Sequence, residues 1–189
     1  MNELVTSVNL TLPAWVEDVA YGKAQYPTDE AKMRLAVELA RRNVEARTGG
    51  PFGAAVFDAA TGGLISVGVN RVVPLKNSTA HAEMMAFMLA QVRLGKFRLD
   101  DGGHAFVLAT SAQPCAMCYG GVVWAGVRRM IVAARKEDVE AYTHFDEGPL
   151  PENWEAGLRA RGIEVTLDVL RAAAVEVLKD YTRRGGADY

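Results

Sequence analysis

Ala105-Phe106-Val107-Leu108-Ala109-Thr110-Ser111-Ala112-Gln113-Pro114-Cys115-Ala116-Met117-Cys118 is the stretch on which the organisation of the chain turns. Its first six residues read as a short, nearly all-apolar strand of the kind buried on both faces. Ser111-Ala112-Gln113-Pro114 reads as a turn that opens a helix from Cys115 to about Trp124. A strand with no polar face needs a layer on each side of its sheet. Residues 129–134 form the next strand, 136–142 and 152–161 read as helices, 163–167 as a strand and 169–181 as a terminal helix. Upstream, residues 52–58 and 64–70 form a hairpin about Thr61-Gly62-Gly63, and residues 80–95 have the Ala, Met and Leu content of a helix. An earlier helix starts with Thr28 as N-cap and with Asp29 and Glu30 in the first turn, where the dipole favours acids. Its buried stripe is Met33, Val37, Ala40 and Val44. This alternation predicts one five-stranded mixed sheet with helices on both faces, an α/β fold built as a three-layer α/β/α sandwich.

The 189 residues fit one domain. Residues 1–27 lack a clean period and read as an N-terminal extension; residues 28–189 form the domain proper. Half the residues are apolar, and 21 basic residues face 23 acidic ones. That balance excludes a disordered chain and offers no electrostatic footprint for a nucleic acid. The longest glycine-inclusive apolar run, residues 120–127, is far short of a membrane span. Met1-Asn2-Glu3 begins the chain on an acidic note and the first basic residue is Lys23, so no leader is expected and a cytoplasmic protein is.

Two cysteines three residues apart are too close for an ordinary structural disulfide. They fit a redox pair, half a structural zinc site or part of a catalytic one. No thioredoxin-like pattern surrounds them. A structural zinc needs four ligands, and His104 and His144 lie in unpatterned loops. His81 with Cys115 and Cys118 supplies the three donors of a catalytic zinc, leaving the fourth position for water. Cysteines at the start of a helix are stabilised as thiolates by unpaired amides, and a spacing of three puts both sulfurs on one side. Glu83, two residues after His81, is placed to carry protons. His-x-Glu followed by Pro-Cys-x-x-Cys is the signature of zinc nucleobase deaminases.

On these motifs the chain resembles the cytidine deaminase superfamily and, within it, the bacterial guanine deaminases. The resemblance runs from about Arg34 to the C-terminus. It also rests on Gly50-Pro51-Phe52-Gly53-Ala54, Asn70-Arg71-Val72-Val73-Pro74, Thr110-Ser111, Trp124 and Phe145-Asp146-Glu147-Gly148-Pro149. It implies a zinc ion held by His81, Cys115 and Cys118, with Glu83 as proton carrier. It implies that Asn70 grips the polar edge of the base, where bare sequence reads a turn residue closing a strand. Phe52 and Trp124 would sandwich the base, and the backbone of Ala82 would face the pocket. Glu147 matches a second carboxylate that would hold the lactam side of guanine or relay the last proton; Asp146 reads as structural. Water would add at the 2-carbon and ammonia depart, leaving xanthine. The likeness further implies a homodimer with exchanged C-terminal segments, in which Tyr189 closes the partner's site; a frayed tail is the bland reading. Gln113 stands where the family most often has glutamate.

Other small substrates fit the same signature: ammeline, guanosine, cytosine and cytidine. A tRNA adenosine deaminase shares it too, but needs phosphate contacts that this charge balance does not provide. A non-enzymatic zinc assembly module would close the fourth ligand position.

Overall fold

The computed structural model of the chain describes residues 4–20 and 25–187. Five strands, β1 (Gly53–Asp58), β2 (Leu64–Val69), β3 (Phe106–Ala112), β4 (Arg129–Ala134) and β5 (Glu164–Thr166), form one sheet in the order β2-β1-β3-β4-β5. The pairs β1–β2 and β1–β3 are antiparallel; β3–β4 and β4–β5 are parallel. The helices are α1 (Trp15–Ala20), α2 (Asp29–Glu45), α3 (Val72–Leu75), α4 (Ala82–Leu94), α5 (Ala116–Ala125), α6 (Lys136–Tyr142), α7 (Trp154–Arg159) and α8 (Arg171–Arg183).

Side chains alternate across the sheet, and the two cores follow that period of two. Ala55, Phe57, Val107, Ala109, Ile131 and Ala133 pack with α2 and α8. Ala54, Val56, Phe106, Leu108, Met130 and Val132 pack with α4, α5 and α7. All seven residues of β3 are buried, as a strand with helices on both sides requires. The expected three-layer sandwich is therefore the fold. Thr28 caps α2 by accepting the amide of Ala31, and Met33, Val37, Ala40 and Val44 all lie in the core.

The differences from the expected elements have local causes. Strand β3 runs on to Ala112, where it pairs with Ala134, and the Ser111 hydroxyl accepts the Gly53 amide at 3.0 Å. Helix α8 begins only at Arg171, because Asp168 and Leu170 adopt left-handed backbone at φ 66° and 57°. Between β2 and α4 the chain forms the short helix α3, for which the sequence reading gave no element. The N-terminal extension contains α1, and its Val16 and Tyr26 are buried with the α2 side of the core.

Helix α4 lies unusually close to β2. A Cβ added at Gly68 would sit 2.0 Å from the Ala82 carbonyl oxygen and 2.6 Å from the Ala86 amide nitrogen. Only a residue without a side chain lets the helix start at that depth. Gly68→Ala is expected to cost about 1–3 kcal/mol of stability by overpacking. It should also lower zinc content, since α4 follows directly on His81; thermal melting and metal analysis of the variant check both.

Candidate active site

Two helices begin at the same place. His81 is the N-cap residue of α4 and Cys115 that of α5, both in extended backbone. Cys115 thus stands one position before the helix in which the sequence placed it. Its sulfur accepts the amide of Cys118 at 3.5 Å, so it occupies the role that serine or aspartate fills at other helix starts. Cys118, fully buried, lies one turn further on. The parallel β3–β4 pair brings α5 to the sheet's edge, and the antiparallel β1–β2 pair brings α4 beside it.

The donor atoms of His81, Cys115 and Cys118 lie within 4.8 Å of one another, and His81 Nδ1 is 3.6 Å from Cys115 Sγ. Tetrahedral zinc, with bonds of about 2.05 Å to nitrogen and 2.3 Å to sulfur, separates such a pair by about 3.6 Å. The residues fit the metal. No fourth histidine, cysteine or carboxylate joins this cluster among the described residues. That matches a catalytic site with one position left for solvent rather than a closed structural one.

Taken by themselves, the protein's groups hold a strained set of charges. Cys115 ionises first: the hydrogen bond from Cys118 draws it down to about 4, against its burial and with help from His81. The same bond, with burial, holds Cys118 above the ordinary thiol range. Burial pushes the Glu83 carboxyl up, and the Cys115 sulfur adds to the shift. Burial also pushes Glu147 up to about 8, with Cys115 and Glu83 as further causes. Burial thus holds Glu83, Glu147 and Cys118 towards their neutral forms, and the Cys115 sulfur is the donor that ionises most readily.

These groups open onto a small, partly enclosed cleft of about 100 Å³. His81, Ala82, Glu83 and Cys115 line one side; Phe52, Asn70 and Glu147 complete it. Asn70 is fully buried, and its Oδ1 faces the amides of Val72 and Gly50 at 3.2 and 3.4 Å. Its Nδ2 has no partner among the described residues. A buried amide nitrogen left unpaired costs free energy unless a ligand meets it. The loop bearing Glu147 is tied down where α5 starts, since the Glu147 carbonyl accepts the amide of Ala116 at 3.0 Å. Asp146 accepts the Gly148 amide at 2.8 Å, a turn-forming bond that agrees with a structural part.

Four further residues of the lining were absent from the sequence reading of the pocket: Ala112, Gln113, Phe145 and Asp146, the last read there as structural only. Phe145 meets Phe52 at 5.4 Å between ring centroids and Tyr181 of α8 at 5.8 Å. Ala112 enters because β3 is longer than expected. Gln113 turns its side-chain oxygen to the Lys136 amide at 3.3 Å, so it links the cleft to the start of α6. The Phe145-Asp146-Glu147 motif was the only available signal for Phe145, because an aromatic in a loop has no period to declare its direction.

Trp124 is a correction. It is 76% exposed and lies in a surface depression with Met84, Phe97 and Gly121, not in the cleft of its own chain. On α5 the inward positions are Cys118, Val122 and Ala125, and Trp124 falls about 240° round the helix from Cys118. Tyr189 lies outside the described residues.

Comparison with known proteins agrees with this site. The sequence profile of the cytidine and deoxycytidylate deaminase zinc-binding region matches residues 27–134. The chain is 39% identical over 118 residues to guanine deaminase of Bacillus subtilis (strain 168), covering 62% of this chain and 71% of that one. The solved structure of guanine deaminase from Nitrosomonas europaea superimposes with a TM-score of 0.89 at 46% identity, over 96% of this chain and all of that one. A mutant of NE0047 in complex with 8-azaguanine gives 0.88 at 47% identity, over 94% and 98% of the two chains. The profile covers more than half of the sequence and ends at β4, so it contains all three metal donors: the chain belongs to the cytidine and deoxycytidylate deaminase zinc-binding family.

Proposed function

We propose that the chain catalyses the zinc-dependent hydrolytic deamination of guanine to xanthine and ammonia. The observation that carries this reading is the second buried carboxylate. Glu147 shares the cleft with Glu83, Asn70 and two of the metal donors, His81 and Cys115, and its loop reaches them through the bond to the start of α5. The likeness to the guanine deaminases of Bacillus subtilis and Nitrosomonas europaea supports the same substrate, as does the 8-azaguanine bound to a relative.

His81, Cys115 and Cys118 would hold the ion. When bound, zinc supplies a Lewis acid that lowers the pKa of a water in its open position. Glu83, buried and uphill to ionise, would take a proton from the attacking water and deliver it to the ring nitrogen beside the 2-carbon. Asn70 Nδ2 donates to the purine's carbonyl edge and so satisfies its own unpaired hydrogen. The Phe52 ring, braced by Phe145, supplies an apolar wall for the base, and Ala82 presents its backbone to it. Glu147, protonated near neutral pH by its burial, holds the lactam side or passes a proton to the departing amino group. Two acids with separate tasks suit guanine, whose ring must be both held and protonated while ammonia leaves.

A homodimer is part of this reading, with exchanged C-terminal segments as its finer form. Its support is an apolar face that one copy leaves bare: Trp124, Phe97 and Val92 are 76%, 81% and 80% exposed. Such large exposed apolar residues are typical of a covered interface. No described helix is long and apolar enough to cross a membrane.

Ammonia release from guanine, guanosine, ammeline, cytosine and adenine tests the assignment. Guanine is expected to be turned over fastest, and a preference for cytosine or adenine would overturn it. Glu83→Ala should lose at least about 10²–10⁴-fold in kcat with zinc retained, and Glu147→Gln should fall markedly on guanine; full activity in either variant removes that residue's role. Sedimentation equilibrium is expected to give a dimer, and Trp124→Glu should shift it towards monomer without loss of zinc.

A further inference from the structure

The amide of Asn70 is held by a chain of hydrogen bonds that begins in the N-terminal extension. Trp15 of α1 donates its indole N–H to the Thr48 hydroxyl at 3.0 Å. Thr48 donates to Asn43 Oδ1 at 2.8 Å, a better-placed acceptor than the Asn43 carbonyl at 3.5 Å. That bond fixes which end of the Asn43 amide is oxygen. Both hydrogens of its Nδ2 are then spent on the far side, on the Gly50 carbonyl at 2.8 Å and the Asn70 carbonyl at 2.9 Å.

Asn70 lines the cleft, and Asn43 clasps its backbone to that of Gly50. Gly50 in turn points its amide at Asn70 Oδ1, and the Asn70 amide donates to the Phe52 carbonyl at 3.1 Å. With Oδ1 engaged by backbone donors, Asn70 can turn only its Nδ2 into the cleft. The clasp is closed tightly: a Cβ at Gly49 would lie 1.8 Å from the Asn70 carbonyl oxygen and 2.7 Å from Asn43 Nδ2. Asn43 is fully buried, in a helix where an apolar residue would serve packing equally well. Burying an amide there is worth its desolvation only because all its hydrogen-bonding capacity is used.

We infer that Asn43 and Thr48, steadied by Trp15, are positioning residues that set the orientation of Asn70 towards the substrate, and that the N-terminal extension thereby acts on the site. None of the three lines the cleft. The inference rests on the reading of Asn70 as the substrate-gripping amide.

The test is a double-mutant cycle on kcat/KM for guanine with the zinc-loaded protein. Thr48→Val keeps the shape and removes the donor. It is expected to lower kcat/KM by about 3- to 10-fold in the parent. It should cost nothing further in an Asn70→Ala background, since it acts through that residue. Thr48→Ser, which restores the hydroxyl, should recover most of the loss. Trp15→Phe removes only the outermost donor at a half-buried position and should show the same dependence on Asn70. It keeps the test available where Thr48→Val does not fold. Parent-level kcat/KM in these variants, or an equal loss with and without the Asn70 side chain, overturns the inference. Parent-level activity in Asn70→Ala alone overturns the reading of Asn70 instead.

Discussion

Everything in this site depends on two helices starting at one point. A helix start presents unpaired amides and the positive end of its dipole, and here two such starts meet. His81 caps one and Cys115 the other. The amides stabilise sulfur as thiolate, and the converging backbones hold the imidazole and the sulfurs near the spacing that tetrahedral zinc demands. The glycine at position 68 is what lets α4 come in deep enough.

Around that point the protein accepts an accumulation of charge that only function explains. Glu83 and Glu147 are buried, and both are driven above the usual carboxylate range by loss of water. In a core built for stability alone, apolar residues of the same size would do better. Burial beside the Cys115 sulfur raises both carboxyls, Glu147 to about 8, the kind of shift that gathers at functional sites. The same logic covers Asn70, whose unpaired Nδ2 is a defect in the protein by itself and a binding group once a purine edge meets it.

Much of this was legible in the residues. The unbroken apolar run at the start of β3 announced a doubly covered strand, and the capping pattern at Thr28 announced α2. The two-part metal motif announced the three donors and the acid between them, because metal chemistry restricts both residue type and spacing. Residues that act through direction rather than type were not legible. Trp124 turned outward because its helical phase is opposite to that of Cys118, which matching a motif does not reveal. Asn43 and Thr48 sit near the end of α2 with no pattern to distinguish them from other polar residues. Helix α3 is a single turn, too short to display a period.

By itself the sequence determined the alternation of strands and helices, the three metal donors and the absence of a polyanion-binding charge. Each follows from local chemistry: side-chain type, period and spacing within a short segment. The tertiary structure alone decided which aromatic reaches the cleft, that Glu147 and Asn70 face the same space as the metal donors, and that the N-terminal extension is tied to that space. Those facts join residues as far apart as Trp15, Asn70 and Glu147, and only the packing of the sheet against its helices brings such distant positions together.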